Sequence, residues 1–169
     1  MPQQMRAVTQ DEFGGPEVLR LTELPRPSPG PAEVLVRVRA SGVNPTDWKH
    51  RAGGRFLGDP PFTLGWDVSG VVEEVGLGVA VLEPGDEVMG MLPYPGQGGG
   101  YAEYVVASSR TFVRRPEGLG PVAAAALLVL AVRHWGGGIL RGWADSLALQ
   151  AACHDDAVHV GFDRHYRSL

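Results

Sequence analysis

The chain has 169 residues, 15 of them basic and 19 acidic, giving a net charge of -4 with both signs mixed along its length; this excludes a nucleic-acid partner or a polybasic membrane anchor. A single cysteine, Cys153, excludes an internal disulfide framework and an all-cysteine zinc site, so a reducing cytosol is the default. Met1-Pro2-Gln3-Gln4-Met5-Arg6 lacks the apolar core of a signal peptide, and the longest apolar run, Val122 to Val132, is well short of the roughly 20 residues of a membrane-spanning helix. The expectation is a cytoplasmic protein, one cored domain plus an appendage, with no membrane partner.

Met5 to Thr9 reads as a first strand, and Phe13-Gly14-Gly15-Pro16-Glu17 turns it back into Val18 to Leu24 as a β-hairpin. Four prolines between Pro25 and Pro31 lack the backbone donor of a central strand, so this stretch reads as a rigid, extended surface connection. Glu33 to Ala40 alternates, with Val34, Val36 and Val38 on one face and Leu35, Arg37 and Arg39 on the other, the pattern of a half-buried strand. A short helix follows: Asn44 can cap it, Pro45 suits its first position, and Gly53 suits a left-handed turn just past its end.

Gly65 to Met91 organises the chain. Strand-like runs are joined there by Gly65, Gly70, Gly76 and Gly78, and Pro84-Gly85-Asp86 makes a turn before a strand beginning at Val88. Glycines at such places let a sheet curl on itself into a small barrel. Gly96 to Gly100 reads as a flexible loop before a strand over Tyr101 to Val106. It is not a dinucleotide fingerprint, because Tyr101 stands where G-x-G-x-x-G needs glycine. Thr111 to Pro116 gives a last short strand, and Pro121 opens a helix whose alanine and leucine content makes Val122 to Val132 a buried helix. The fold class is therefore mainly β with short helices: a partly open β-barrel followed by a helix and an irregular tail.

The spacing Gly65-x-x-x-x-Gly70-x-x-x-x-x-Gly76-x-x-Val79 resembles the GHE-x-x-G signature of the medium-chain dehydrogenase/reductase family. From about Met5 to Ala126 the order of motifs is similar to the GroES-like catalytic domain of zinc-independent quinone oxidoreductases: FGGPEVL, PGPAEVLVRVRASGVNPTDWK, the glycine signature, the GD-x-V turn and GGYAEYVV. Trp66 stands where the family's zinc enzymes carry a histidine ligand, Asp67 where they carry glutamate, and Asn44 where they carry a ligating cysteine, so the resemblance implies no catalytic zinc. It also implies NADPH as hydride donor and a quinone or enone as small-molecule substrate. Asn44 and Thr46 would then sit near the nicotinamide and the substrate carbonyl, with Asn44, Trp48 and Trp66 on the cofactor side and the two tryptophans as walls. From the residues alone, Asn44 reads equally as a helix cap and Trp66 as a core filler, and Asp67 as a partly buried carboxylate seeking a partner.

A GroES-like alcohol dehydrogenase N-terminal domain over 5–126 leaves 127–169 as an atypical C-terminal tail. Nothing in the tail resembles the doubly wound nucleotide-binding domain that the family uses to hold a pyrophosphate, and its composition changes abruptly, as a reading-frame change or truncation would produce. Cys153-His154-Asp155 with His159 and His165 fits no zinc spacing. Two functions compete: an NADPH-dependent quinone oxidoreductase-like catalytic domain, and a truncated, non-catalytic barrel lacking cofactor binding. Apolar walls left without their partner domain would favour self-association.

Overall fold

The first hairpin forms because apolar and β-branched residues alternate on both sides of a glycine-proline turn. In this computed structural model, which describes residues 3–53, 57–96, 98–134 and 159–161, β1 (Gln4–Gln10) pairs antiparallel with β2 (Arg20–Pro25), Met5 opposite Leu24 and Thr9 opposite Arg20. On the other side of β1 lies the two-residue β4 (Phe62–Thr63), so the first sheet runs β2-β1-β4. The proline-rich connection leaves β2 without pairing, and Arg26 ties it down. Its N–H donates to the Gln3 carbonyl at 2.8 Å, and its guanidinium meets Glu74 at 2.7 Å while covering the Tyr104 ring at 4.8 Å.

The second sheet is built on β3 (Glu33–Gly42), flanked by β5 (Asp67–Val75) and β7 (Tyr104–Ser108), and extends through β6 (Glu87–Met91) to β8 (Phe112–Arg114), in the order β7-β3-β5-β6-β8. Val34, Val36 and Val38 point into the core with Val68, Val72, Val88 and Val105, as the alternation requires. Leu35 departs from it. Expected on the solvent side, it is fully buried, so the face of β3 opposite the valines is covered here too; the register with β5 shifts between Leu35 and Val36, the extra residue being Glu73 of β5. A second shift between Val38 and Ala40 precedes a run of three buried residues, Ala40 to Gly42.

Two connections bind the sheets together without closing them into a complete barrel. Tyr101 to Glu103, expected to open a strand, instead pair with β1: the Tyr101 carbonyl accepts from Val8 N–H at 2.8 Å, Glu103 N–H donates to the Arg6 carbonyl at 2.9 Å, and Ala102 bridges Ala7. The chain then crosses to β3 and becomes β7. The Pro84-Gly85-Asp86 turn forms as expected, with Asp86 N–H reaching the Glu83 carbonyl at 3.1 Å, and the Asp86 carboxylate clamps β8 through both Nε and Nη2 of Arg114 at 3.0 and 2.8 Å. This fork holds the Asp86 carboxyl below the usual carboxylate range, helped by the Glu83 N–H.

Helix α1 (Pro45–Gly53) begins where Pro45 places it, but Gly53 is its last residue and does not itself adopt the expected left-handed backbone. Helix α2 (Pro121–His134) starts at Pro121, continues past Ala126, and packs Ala124 and Leu128 against Met89 of β6. It also passes over Gly42, where an added Cβ would come within 2.9 Å of the Ala125 carbonyl. A short strand, β9 (His159–Gly161), lies antiparallel to Ala40–Gly42. Cys153, His154, Asp155 and His165 lie outside the described residues, as does nearly all of the tail. Among the described residues no helix is long and apolar enough to cross a membrane.

Two glycines of this scaffold behave oppositely. Gly76 passes directly under the Gly30 carbonyl, where a Cβ has no room, whereas a Cβ at Gly53 meets nothing within 4 Å. Gly76→Ala is therefore expected to destabilise the fold by at least roughly 2 kcal/mol. Gly53→Ala is expected to stabilise it by roughly 0.5–1 kcal/mol. Urea midpoints of the two variants check this, and equal shifts in the same direction would contradict it.

Candidate active site

The start of α1 is where the signature stretch meets the helix. Asp47, at the third helical position, folds back so that Oδ2 accepts Asn44 N–H at 2.6 Å, while Asp47 N–H donates to the Asn44 carbonyl at 2.9 Å. This is the carboxylate half of a capping box. The Asn44 side chain does not make the expected cap; the bond at the helix start is the reciprocal one, from Asn44 N–H to Asp47, and the Asn44 amide turns elsewhere. Its Nδ2 donates to Oδ2 of Asp67, in β5, at 2.8 Å. Asp67 is completely buried, not partly buried as expected, and this amide is one of the groups it meets.

The other Asp47 oxygen, Oδ1, accepts Gly65 N–H at 3.0 Å, fastening α1 to the chain just ahead of β5. Gly65 adopts φ +94°, and an added Cβ would lie 2.6 Å from Cδ1 of the Tyr101 ring. The buried Tyr101 hydroxyl faces Asp47 and stands 3.5 Å from the Gly42 carbonyl. Burial pushes the Asp47 carboxyl up to about 6, against the pull of the Asn44 and Gly65 N–H groups and the Tyr101 hydroxyl. Burial, with Asp47 alongside, raises the Tyr101 phenol well above its usual range, so it remains a neutral donor. The glycine loop before Tyr101, expected to be flexible, packs closely here: Gly100 N–H donates to the Gly65 carbonyl at 2.9 Å, and Gly98 also lies against that carbonyl.

Trp66 is almost fully buried in the main core, and its Nε1 donates to the Gly96 carbonyl at 3.0 Å. It fills the core and at the same time forms one side of a ring cluster. His50 of α1 lies 5.2 Å away and Tyr94 packs edge-on at 5.4 Å. Nδ1 of His50 reaches the Thr46 carbonyl at 2.7 Å and its hydroxyl at 3.3 Å, and the Thr46 hydroxyl lies 3.5 Å from that of Tyr94. Thr46 and the half-exposed Tyr94 therefore present hydroxyls beside a flat aromatic surface. Trp48 stands apart, 49% exposed with the Lys49 ammonium 5.4 Å from its ring centroid. Of the four residues singled out by sequence, Asn44, Thr46 and Trp66 gather around α1 and β5, and Trp48 makes no ring contact with them among the described residues.

Asp47, His50, Tyr94 and Tyr101 were not among those expected. A carboxylate three residues after Asn44 and a histidine four residues after Thr46 were the available signals. Tyr94 and Tyr101 flank the glycine run, and only the folded chain shows them turned toward α1. Among the described residues no group of three or more His, Cys, Asp or Glu side chains could hold a metal ion.

The raised Asp47 carboxyl sets a pH dependence of opposite sign to that of a salt-bridged carboxylate. The folded chain takes up this proton as pH falls through about 6, the unfolded chain only near the ordinary value of 3.8. The stability contributed is therefore present below about 4 and is lost as pH rises through about 6, by up to about 3 kcal/mol. Asp47→Asn should be less stable than the parent at every pH, because one amide oxygen cannot serve both N–H groups, and the gap should widen on acidification from pH 7 to 4. Urea unfolding of both chains across that range checks it; a constant gap would contradict the raised value.

Residues 30–117, just over half of the chain, match the family model described as the alcohol dehydrogenase GroES-like domain. The quinone oxidoreductase of Homo sapiens is 42% identical over 118 residues, covering 68% of this chain and 35% of that protein. The chloroplastic quinone-oxidoreductase QR1 of Triphysaria versicolor is 45% identical over 116 residues, with 66% and 35% covered. The solved quinone oxidoreductase from Coxiella burnetii matches with a TM-score of 0.72 at 36% identity, over 78% of this chain and 45% of that one. The chain thus spans about a third of the length of the relatives it matches. Its curled pair of sheets, its helix held to the glycine signature and its sequence all lead to one assignment: the chain belongs to the alcohol dehydrogenase GroES-like domain family, and within it is quinone-oxidoreductase-like.

Proposed function

We propose that the chain forms the substrate-side wall of a zinc-independent, NADPH-dependent quinone reductase of the cytoplasm, acting on a quinone or an activated alkene. The observation that carries this reading is the pair Asn44 and Trp66. At the two positions where the zinc enzymes place cysteine and histidine, this chain has an amide and an indole, and both side chains are engaged in hydrogen bonds as donors, to Asp67 and to the Gly96 carbonyl. An indole N–H has no lone pair to give a metal.

The residues suit the nicotinamide end of the cofactor. The half-exposed Tyr94 ring stands beside the buried Trp66–His50 pair, with the Thr46 and Tyr94 hydroxyls at its margin. NADPH, when bound, supplies the hydride. The chain's own part is to orient and to stabilise: Thr46 and Tyr94 offer hydroxyl donors to a carbonyl oxygen on which charge develops, and the aromatic wall keeps water from one side. Domain 5–126 would carry this role, with 127–169 as a tail of different origin.

A second reading, a barrel that binds no cofactor, is favoured by one feature. The Asn44 N–H at the start of α1, which could have met a phosphate, is already turned to the chain's own Asp47 carboxylate. Nicotinamide fluorescence on titrating NADPH into the purified chain separates the two. Saturable enhancement, with NADPH-dependent reduction of 1,4-benzoquinone, is expected; no saturable change would overturn the reductase reading for this polypeptide. The exposed apolar side chains Trp48, Leu77 and Val81 support self-association. Light scattering should show a mass that grows with concentration, and a monodisperse monomer would contradict it.

A further inference from the structure

We infer that Asp67 is a positioning residue that fixes which way round the Asn44 amide stands, so that the site selects a ligand group carrying an O–H or N–H. An asparagine amide can bond from either end, and its orientation is decided by its neighbours. Here the neighbour is a carboxylate oxygen. Oδ2 of Asp67 receives Asn44 Nδ2 at 2.8 Å, so the nitrogen is held inward. Asp67 cannot easily turn aside. It is completely buried at the start of β5, its own carbonyl accepts the Ser41 hydroxyl at 2.8 Å, and its Cβ and Oδ2 lie against Gly42.

The other end of the amide is thereby directed. Asn44 is half-buried; its Oδ1 makes no hydrogen bond among the described residues, yet it is not sealed from solvent. The backbone N–H of Asn44 is held separately by Asp47 at 2.6 Å, so the main chain at this point is fixed independently of the amide. A half-exposed acceptor on a fixed main chain, two residues ahead of Thr46 at the start of α1, recognises a donor. A bare carbonyl such as a quinone oxygen presents only lone pairs, and would be received by the Thr46 and Tyr94 hydroxyls instead. Two ligand groups have the required donor in the proposed reaction: the carboxamide of the nicotinamide and the O–H of the hydroquinone product. This ligand half rests on the reductase reading; the orientation of the amide does not.

Two measurements on the full chain test the two halves separately. In nitrogen-edited NMR spectra of the unliganded protein, one Asn44 side-chain amide proton should exchange with solvent at least tenfold more slowly than a free asparagine amide, and this protection should vanish in Asp67→Asn, whose amide can bond either way round. Exchange at the free rate in the parent chain would overturn the positioning role, whether or not any cofactor binds. The second measurement compares ligands by chemical-shift titration: NADPH against its nicotinic-acid analogue, and 1,4-hydroquinone against 1,4-dimethoxybenzene, each second member lacking the donor. The parent should favour the donor-bearing member of one pair about tenfold, which identifies the source, and Asp67→Asn should lose that preference. Asn44→Ala, which keeps the backbone cap, should lose it too and serves if Asp67→Asn does not fold. Equal binding within both pairs, no binding of any probe, or a preference unchanged in the variants would overturn the ligand assignment.

Discussion

One buried carboxylate holds the working end of this molecule together. Asp47 spends one oxygen on the Asn44 N–H and the other on the Gly65 N–H, with the Tyr101 hydroxyl beside it, so that a helix start, the approach to a central strand and the crossing between two sheets converge on a single side chain. Removing a carboxylate from water costs several kcal/mol, and charge-assisted hydrogen bonds offset that only when their geometry is fixed. Here the fixing comes from rigid parts: a proline at the first helical position, and a glycine whose φ of +94° aims its N–H at the oxygen. The arrangement leaves the carboxyl raised to about 6, so desolvation still outweighs the donors. The interaction is tolerated for where it places α1, since the placement brings Asn44, Thr46 and His50 to the same end of β5.

The same constraint explains why the sheets curl toward each other at Tyr101. The Tyr101 ring packs on Gly65 where no side chain is present, its carbonyl pairs with β1, and three residues later the chain has moved to β3. The Arg6–Glu103 pair at this crossing is bidentate, but Arg6 is largely exposed, so it contributes little by itself. The weight is carried by backbone pairing and by buried contacts of Ala7 and Ala102. Tyr94 lies just before the glycine run that leads into this crossing. Its position against Trp66 and His50 follows from the Gly100 and Tyr101 N–H groups bonding to the Gly65 and Leu64 carbonyls.

What could be read from the sequence was what depends on a residue and its near neighbours. The hairpin, the unpaired proline connection, the Glu83–Asp86 turn and the start of both helices at proline all follow from local chemistry, and all are present. What could not be read depends on a partner strand or a competing donor. The register shifts between β3 and β5, and the covering of Leu35 on the other face, exist only in the folded chain. Tyr101 has a strand-like sequence, but which strand it joins is decided by the glycine it packs upon. Asn44 was legible as a helix-start residue. That Asp47 would bond back to its N–H, and also reach Gly65, required knowing that Gly65 sits within reach of the same carboxylate. Gly53 carried a familiar signal for a left-handed end, and the helix simply includes it.

The departures from the zinc enzymes' pattern at 44, 66 and 67 make sense only as a set. A buried carboxylate at 67 needs a donor, since an uncompensated one would shift its pKa and neutralise instead. The Asn44 amide provides one at 2.8 Å. A cysteine at 44 would offer only a weak S–H donor in place of the amide. At 66, the space beside His50 and Tyr94 is filled by an indole whose one polar atom is satisfied by the Gly96 carbonyl. The smaller imidazole of histidine would leave a void there, at a cost of the order of 1–3 kcal/mol. The tryptophan supplies volume, and the asparagine, by donating its amide to the aspartate, keeps its uncharged acceptor half-exposed at the start of α1.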